Sequence, residues 1–467
     1  MSTVEDIFRI PDLRRKLIIT LFLLGLCRLG VYVSVPGVDV PGLIATYEKA
    51  AQDSVAGRLL GLMDLFAGGA FGRCAVFGLG VMPYISASII FQLLTSVVPA
   101  LERLHREGEV GRKRIHQYTR MATVALCLVQ GGITVAGLRS SESLRPFFFD
   151  AGMGFILMAA MLMTTGTMLL MWIGEQIDEF GIGNGISLII MIGILDRLPV
   201  GIWRLASQAT FSLNPEVGEV GPGKIVVLLA MFFGIVLGVV FITEGQRRIP
   251  FQQASHTRGR RVYVGQKHYL PLRVNQAGVI PIIFAQSLLM FPATIAHGVL
   301  SWYQASGATG ALGYRFWLFV SEQLQGGTFM YIVFYMVLIF IFCFFWTAVQ
   351  FNPQEMANNM KEHGTFILGI RPGRRTAEYL ERLMTRITLP GAAFLAVIAI
   401  LPMLLTRAMN VDWTITGFYG GTSLLIVVGV ALDLVKKIES HLVMRHYDGF
   451  MRRSRGGGGH RRGGRSL

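Results

Sequence analysis

Polar and apolar positions in this chain fall into long separate blocks. No Asp, Glu, Lys or Arg lies between Arg73 and Glu102, Arg120 and Arg139, Asp150 and Glu175, Lys224 and Glu244, Arg386 and Arg407, or Asp412 and Asp433. Leu17–Val35 is apolar apart from Arg28, and Phe180–Leu195 is short but uncharged. Two longer charge-free stretches, Arg273 to Arg315 and Glu322 to Glu355, each hold one helix and an uncharged flank. A helix of about 20 residues, rising about 1.5 Å per residue, crosses a hydrocarbon core of about 30 Å. The pattern therefore predicts ten membrane-spanning helices, in an all-α membrane protein.

Composition excludes the alternative of soluble domains. Of 467 residues, 52% are hydrophobic and 15% charged, where a globular protein carries about 25% charge. Basic residues also orient the helices. With an even number of spans both termini share one side, and 32 of the 43 Lys and Arg fall in the termini and loops of that side. The positive-inside bias predicts that this side is cytoplasmic and that the chain is a multi-pass protein of the plasma membrane. Met1–Lys16 is short, polar and mixed in charge, and reads as a cytoplasmic segment rather than a leader.

The net charge of +15 exceeds what topology requires. Residues 244–274 hold Arg247, Arg248, Arg258, Arg260, Arg261, Lys267 and Arg273 against one acid, Glu244, and Arg261–Val264 alternates polar and apolar residues after a turn signal at Gly259. Such a loop suits anionic lipid or a large acidic partner, and its length favours the partner. Met451–Leu467, with six Gly and six Arg, cannot build a core and reads as a flexible cationic tether.

Searches for chemistry find none. Gly218–Lys224 has phosphate-loop spacing, but Ile225 replaces the magnesium-binding hydroxyl. Gly181, Gly183 and Gly185 read as a tight loop opening a helix. Cys27, Cys74, Cys127 and Cys343 are dispersed, and no His falls at metal-ligand spacing. No catalytic residue, metal or cofactor is expected. Apart from Arg28 no helix centre is ionisable, which disfavours a proton-coupled carrier. Pro83, and Asn275-Gln276 followed by Pro281 and Pro292, suggest one interrupted helix in each half, as in inverted-repeat folds. No residue-level repeat is visible between spans 1–5 and 6–10.

Several segments are recognisable in order. Gly80–Ile90 (GVMPYISASII), Gly174–Ile177 with Gly181–Ser187 (GIGNGIS), Gly245–Arg248, Gly259–Tyr263, Gly278–Pro281, Gly369–Gly373 (GIRPG) and Gly420–Ile426 (GGTSLLI) closely resemble the SecY family, over about residues 9–448. The resemblance implies two inverted five-helix halves around a central pore: 17–205 with helices 1–5 and 223–436 with helices 6–10. An external connection spans 206–222, basic cytoplasmic loops span 244–274 and 350–386, and the tail is 437–467. It implies a channel for unfolded secretory polypeptides that also releases transmembrane segments sideways into lipid. By motif position, Val81, Ile85, Ile186, Ile190, Ile283 and Ile426 form an aliphatic waist. Val81 and Ile85, like Ile186 and Ile190, are i,i+4 and share a helix face. Residues 58–73, with Leu59, Leu60, Leu62, Met63, Leu65 and Phe66, correspond to a plug. Helices 2, 3, 7 and 8 correspond to a lateral gate, with Ser86, Gln92, Asn184 and Phe291.

Arg247, Arg248, Arg260, Arg261 and Arg371 match loop arginines that engage a ribosome or the SecA ATPase. Implied partners are these two, SecE- and SecG-like small membrane subunits, secretory polypeptides with signal sequences, and anionic lipids. The competing reading is an inverted-repeat secondary solute transporter, which needs a polar midplane site where this chain places aliphatics.

Overall fold

The computed structural model describes residues 10–53, 64, 67–140, 145–148, 152–209, 221–253, 256–258, 261–263, 267–307, 312–324, 328–409 and 421–456. Its first half runs α1 (Pro11–Gly30), α2 (Val40–Asp53), α3 (Met82–Val97), α4 (Pro99–Arg106), α5 (Glu109–Ser140), α6 (Met153–Phe180) and α7 (Gly185–Gln208). The second half opens with α8 (Pro222–Glu244), followed by β1 (Gln246–Gln253), β2 (His256–Arg258), β3 (Arg261–Tyr263) and β4 (Lys267–Arg273). It continues through α9 (Ile280–Ala305), α10 (Leu312–Gln323), α11 (Phe329–Gln350), α12 (Pro353–Glu362), β5 (Thr365–Ile367), α13 (Arg374–Met409) and α14 (Gly421–Gly456).

Each charge-poor stretch coincides with a helix. Among the described residues six helices are long and apolar enough to cross a membrane, namely α5, α6, α7, α8, α11 and α13. A seventh candidate is α3 with α4, bent by 96°. That bend corrects the sequence expectation about prolines. Pro83 and Pro281 lie in the first turns of α3 and α9, where a missing N–H leaves no bond unmade. They open helices instead of interrupting them. The break falls at Val98, the extended residue before Pro99, because the residue preceding proline is forced out of the helical region.

The expected end of the fifth span also changes. The uncharged run stops at Leu195, yet α7 continues through Asp196 and Arg197 to Gln208. Asp196 is ion-paired with Arg28 and Arg197 with Asp64, so neither charge is carried alone. Arg28, expected mid-span, sits in the last turn of α1, which ends at Gly30. A cation there complements the helix dipole.

Within the first half α5 packs along α6, α3 against α5, and α1 and α7 against α6. In the second half α9 packs on α11, α11 on α13, and α14 on α8 and α13. Among the described residues the halves pack together chiefly along two seams: α7 against α14, and α9 against both α3 and α5. The largest apolar cluster spans both seams.

Superposing the element order on the sequence exposes a repeat that linear reading misses. Gly80-Val81-Met82-Pro83 opens α3, and Gly278-Val279-Ile280-Pro281 opens α9. Both glycines have positive φ, +58° and +63°, a conformation that disfavours side chains. Likewise Gly185-Ile186-Ser187-Leu188-Ile189-Ile190 opens α7, and Gly421-Thr422-Ser423-Leu424-Leu425-Ile426 opens α14. The two motif pairs open corresponding helices of the two halves, as duplication of one half would leave them.

The basic loops are ordered where they are described. β1 pairs antiparallel with β4 and with β5, and the small sheet buries Ile249, Leu272 and Ile367 against Leu380, Leu383, Met384 and Ile387. The β texture expected within 244–274 is thus present, at the end of the molecule where α7 and α14 meet the sheet-bearing loops. β2 and β3 flank Gly259 and Arg260, which lie outside the described residues.

Candidate functional site

The six expected waist residues come from four helices of both halves and meet in one cluster. Val81 (2% exposed), Ile190 (2%) and Ile426 (1%) are buried, as is Ile85, while Ile186 and Ile283 are half-buried against the same cluster. The repeat explains the meeting: Ile85 and Ile283 occupy equivalent places in α3 and α9, and Ile190 and Ile426 in α7 and α14. Helical spacing then aims each pair inward. Val279, the counterpart of Val81, also packs against this cluster. Motif matching missed it, and the Gly-Val-x-Pro repeat was the signal that would have found it.

A cavity of about 310 Å3 lies on the sheet-bearing side of this cluster. Its inner wall includes Ile190, Ile283 and Ile426, and its mouth includes Asn275, Gln276, Asp433 and Lys437. The mouth is braced by local bonds. Asn275 Nδ2 donates to Gly278 O (3.0 Å), and Lys436 Nζ lies 2.7 Å from Glu244 Oε1, tying α14 to α8. Thr20 Oγ1 accepts from Ile182 N (3.0 Å) and Asp178 Oδ1 from Gly185 N (2.8 Å), which hold the tight glycine loop before α7. Polar lining gives way to aliphatic side chains within a single cavity. Apolar constrictions in general exclude ions by dewetting.

Expected gate residues distribute unevenly. Ser86 is buried on α3, donating to Met82 O (3.0 Å). Gln92, also on α3, has a buried Oε1 with no partner among the described residues. Phe291 lies on α9, and its side chain is outside what the structure describes. Asn184 is not on the seam of α9 with α3 and α5. It is the N-cap of α7, accepting from Ser187 N (3.0 Å), and shares the cavity with Ile280 and Ile283 of α9. The plug residues Leu59, Leu60, Leu62, Met63, Leu65 and Phe66 lie outside the described residues. Of the expected docking arginines, Arg247 and Arg248 are exposed on β1 and Arg371 on the loop before α13. Arg371 is held between Gly369 (φ +82°) and Gly373 (φ +104°), with Thr376 Oγ1 donating to its carbonyl at 3.0 Å. Arg261 lies on β3, its side chain outside what is described.

On the side away from the sheet, Asp64 and Ala67–Arg73 fold over the cluster. Asp64 Oδ1 accepts from Gly72 N (2.8 Å) and its carbonyl from Gly69 N (2.9 Å). Its other carboxylate oxygen pairs with Arg197. The chain beyond is pinned to the residues after α1: Val35 N donates to Cys74 O (3.0 Å) and Val76 N to Val33 O (2.8 Å).

Two helical halves meet at a shared apolar cluster, with a partly polar cavity on one side of it and a folded segment on the other. Comparisons with known proteins specify this arrangement further. The SecY family model matches residues 75–435, and the chain belongs to the SecY family. It is 43% identical to the protein translocase subunit SecY of Chlamydia muridarum (97% of this chain, 99% of the relative). To that of Escherichia coli K12 it is 40% identical, over 95% of each chain. Among solved structures, "The structure of a protein conducting channel" matches 92% of this chain and 93% of its own, with TM-score 0.62 at 17% identity. Sec61 in the canine ribosome–channel complex matches 92% and 93%, with TM-score 0.61 at 16% identity. The chain is a subunit of a protein-conducting channel, in a family of translocation channels rather than of enzymes. No comparison favours a solute transporter.

Proposed function

We propose that Val81, Ile85, Ile186, Ile190, Ile283 and Ile426 form the constriction through which unfolded secretory polypeptides pass, with 58–73 as the plug on its far side. The observation that carries this reading is the convergence of residues from four helices, two in each half, on one apolar cluster above a polar funnel. The sheet-bearing end and both termini are cytoplasmic, supported by the excess of Lys and Arg there.

The seam of α9 against α3 and α5 is the lateral gate, because it is one of the two main places where the halves meet and it carries Ser86, Gln92 and Phe291. An apolar segment entering this seam reaches lipid, while a polar chain stays in water, since each follows its transfer free energy. Asn184 serves the funnel mouth beside that gate.

The chain contains no phosphate-binding loop, so work comes from a partner. A ribosome or SecA ATPase docks on Arg247, Arg248, Arg260, Arg261 and Arg371, supported by the exposure of Arg247, Arg248 and Arg371 on the ordered loops. SecE- and SecG-like subunits complete the assembly, and anionic lipid neutralises the remaining basic surface. Reconstituting the purified chain, with any copurifying small subunit, into liposomes tests the reading. Precursor proteins should become protease-protected only with an intact signal sequence and with SecA and ATP, or with a translating ribosome. Solute uptake without precursor transport would replace it with the transporter.

A further inference from the structure

α7 carries two adjacent charges, Asp196 and Arg197, about two turns beyond Ile190. Along α7, Ile186, Ile190, Gly193 and Arg197 recur at i, i+4, i+7 and i+11, one face of the helix. That face presents two waist residues first, then a glycine, then an arginine. The glycine receives the folded segment: a Cβ added to Gly68 would lie 2.9 Å from Gly193 Cα and 2.7 Å from Arg28 Nη1. The arginine receives its carboxylate, pairing with Asp64. Arg28, ion-paired to Asp196, also donates to Gly68 O at 3.3 Å. A Cβ on Gly69 would lie 2.6 Å from Arg197 Nη2. Both Gly68 and Gly69 have positive φ, +61° and +87°, which disfavours a side chain at either, and at Gly68 the Gly193 backbone leaves no space for one.

The two ends of the Asp64–Arg197 pair are unequally buried. The Asp64 side chain is 10% exposed and that of Arg197 30%. Removing the arginine strands a carboxylate away from water, a costly arrangement. Removing the carboxylate's charge leaves an arginine that turns toward solvent, and an amide oxygen still accepts from Gly72 N–H. The pair is therefore asymmetric: Asp64 needs Arg197 more than Arg197 needs Asp64.

We infer that Arg197 is a positioning residue that holds Asp64 and the 67–73 segment over the waist by neutralising buried Asp64, and so sets how strong a signal sequence must be to open the channel. A signal sequence must displace this segment; an uncompensated carboxylate buried within it weakens its seating, and weaker signals then suffice. The inference rests on the channel reading above.

The test is a double-mutant cycle in the reconstituted channel at pH 8, reading resting ion conductance and protection of a precursor with a shortened apolar signal core. Arg197→Gln should raise both at least ten-fold, the equivalent of about 1.4 kcal/mol. Arg197→Lys, which keeps the charge, should stay within about three-fold of the unmodified protein. Asp64→Asn alone should also stay within about three-fold, and Asp64→Asn combined with Arg197→Gln should return to that range. A merely structural arginine would not be rescued by neutralising Asp64. If Arg197→Gln lowers yield, the same cycle is read in monodisperse protein recovered, with restoration by Asp64→Asn again expected. Arg197→Gln at the unmodified level, or a double variant as leaky as Arg197→Gln, would overturn the inference while precursor transport by the unmodified protein left the channel reading standing. Failure of the unmodified protein to move any precursor would overturn both.

Discussion

Ile426→Asn is the perturbation that bears most directly on the constriction. Ile426 is 1% exposed and packs with residues of the opposite half. Truncating it forfeits part of a burial worth about 1.5–3 kcal/mol for a full side chain. Its amide, left without a partner in an apolar neck, adds about 1–3 kcal/mol of desolvation cost. Both terms act on the closed, dry neck, and both are relieved when water enters. A shift of about 3 kcal/mol toward the wet state corresponds to roughly a hundred-fold change in its population. Ile283 is only half-buried, so Ile283→Asn should shift it less. Ile426→Leu, which conserves volume and apolarity, should remain near the parent. Planar-bilayer conductance of reconstituted protein, checked for folding by monodisperse elution, reads the effect directly. Precursors with poor signal sequences should also be accepted more readily. A folded Ile426→Asn channel that stays electrically silent would refute the assignment at that position, because ordinary core packing predicts instability without current.

Other expectations concern the loops, the tail and Asp64. Arg371→Glu should leave elution unchanged and weaken SecA or ribosome binding at least ten-fold, with parental binding falling as salt rises; equal affinities in a sedimentation assay would count against docking there. Removing Gly456–Leu467 should lower affinity for anionic vesicles and preserve precursor transport, and complete loss of transport would reveal a specific role for the tail. Burial lifts the Asp64 carboxyl above its usual 3.8, outweighing the lowering by Arg197 and Arg73. The seated carboxyl thus holds a proton more readily than one released into water, so this stabilisation is complete below the ordinary value and is lost as pH rises through the raised one. Resting conductance should fall on acidification across that window and lose the dependence in Asp64→Asn; a rise on acidification would contradict the assignment.

Spans were legible in the sequence because the cost of putting an isolated charge in hydrocarbon is local and large. A charge-free run such as 225–243 is a helix whatever surrounds it. The same rule misjudged the fifth span, since it counts charges without their partners. Asp196 and Arg197 are tolerated in α7 only because Arg28, from α1, and Asp64, from before α3, reach them. Local chemistry also located the two tight openings at Pro83 and Pro281, but read them as breaks. Whether a proline begins a helix or interrupts one depends on where the preceding turns point.

What the sequence by itself determined was the membrane class, the places of the helices, the basic side and the motifs that carry the family resemblance. Each follows from composition or from neighbours within a few turns. Only the tertiary structure decided that Ile85, Ile190, Ile283 and Ile426 meet in one apolar cluster, that the basic loops form a sheet resting on α13, and that Arg197 faces Asp64 across 133 positions of chain. Such meetings depend on how two halves pack against each other, and no local pattern of apolar and polar residues encodes a contact between segments that distant.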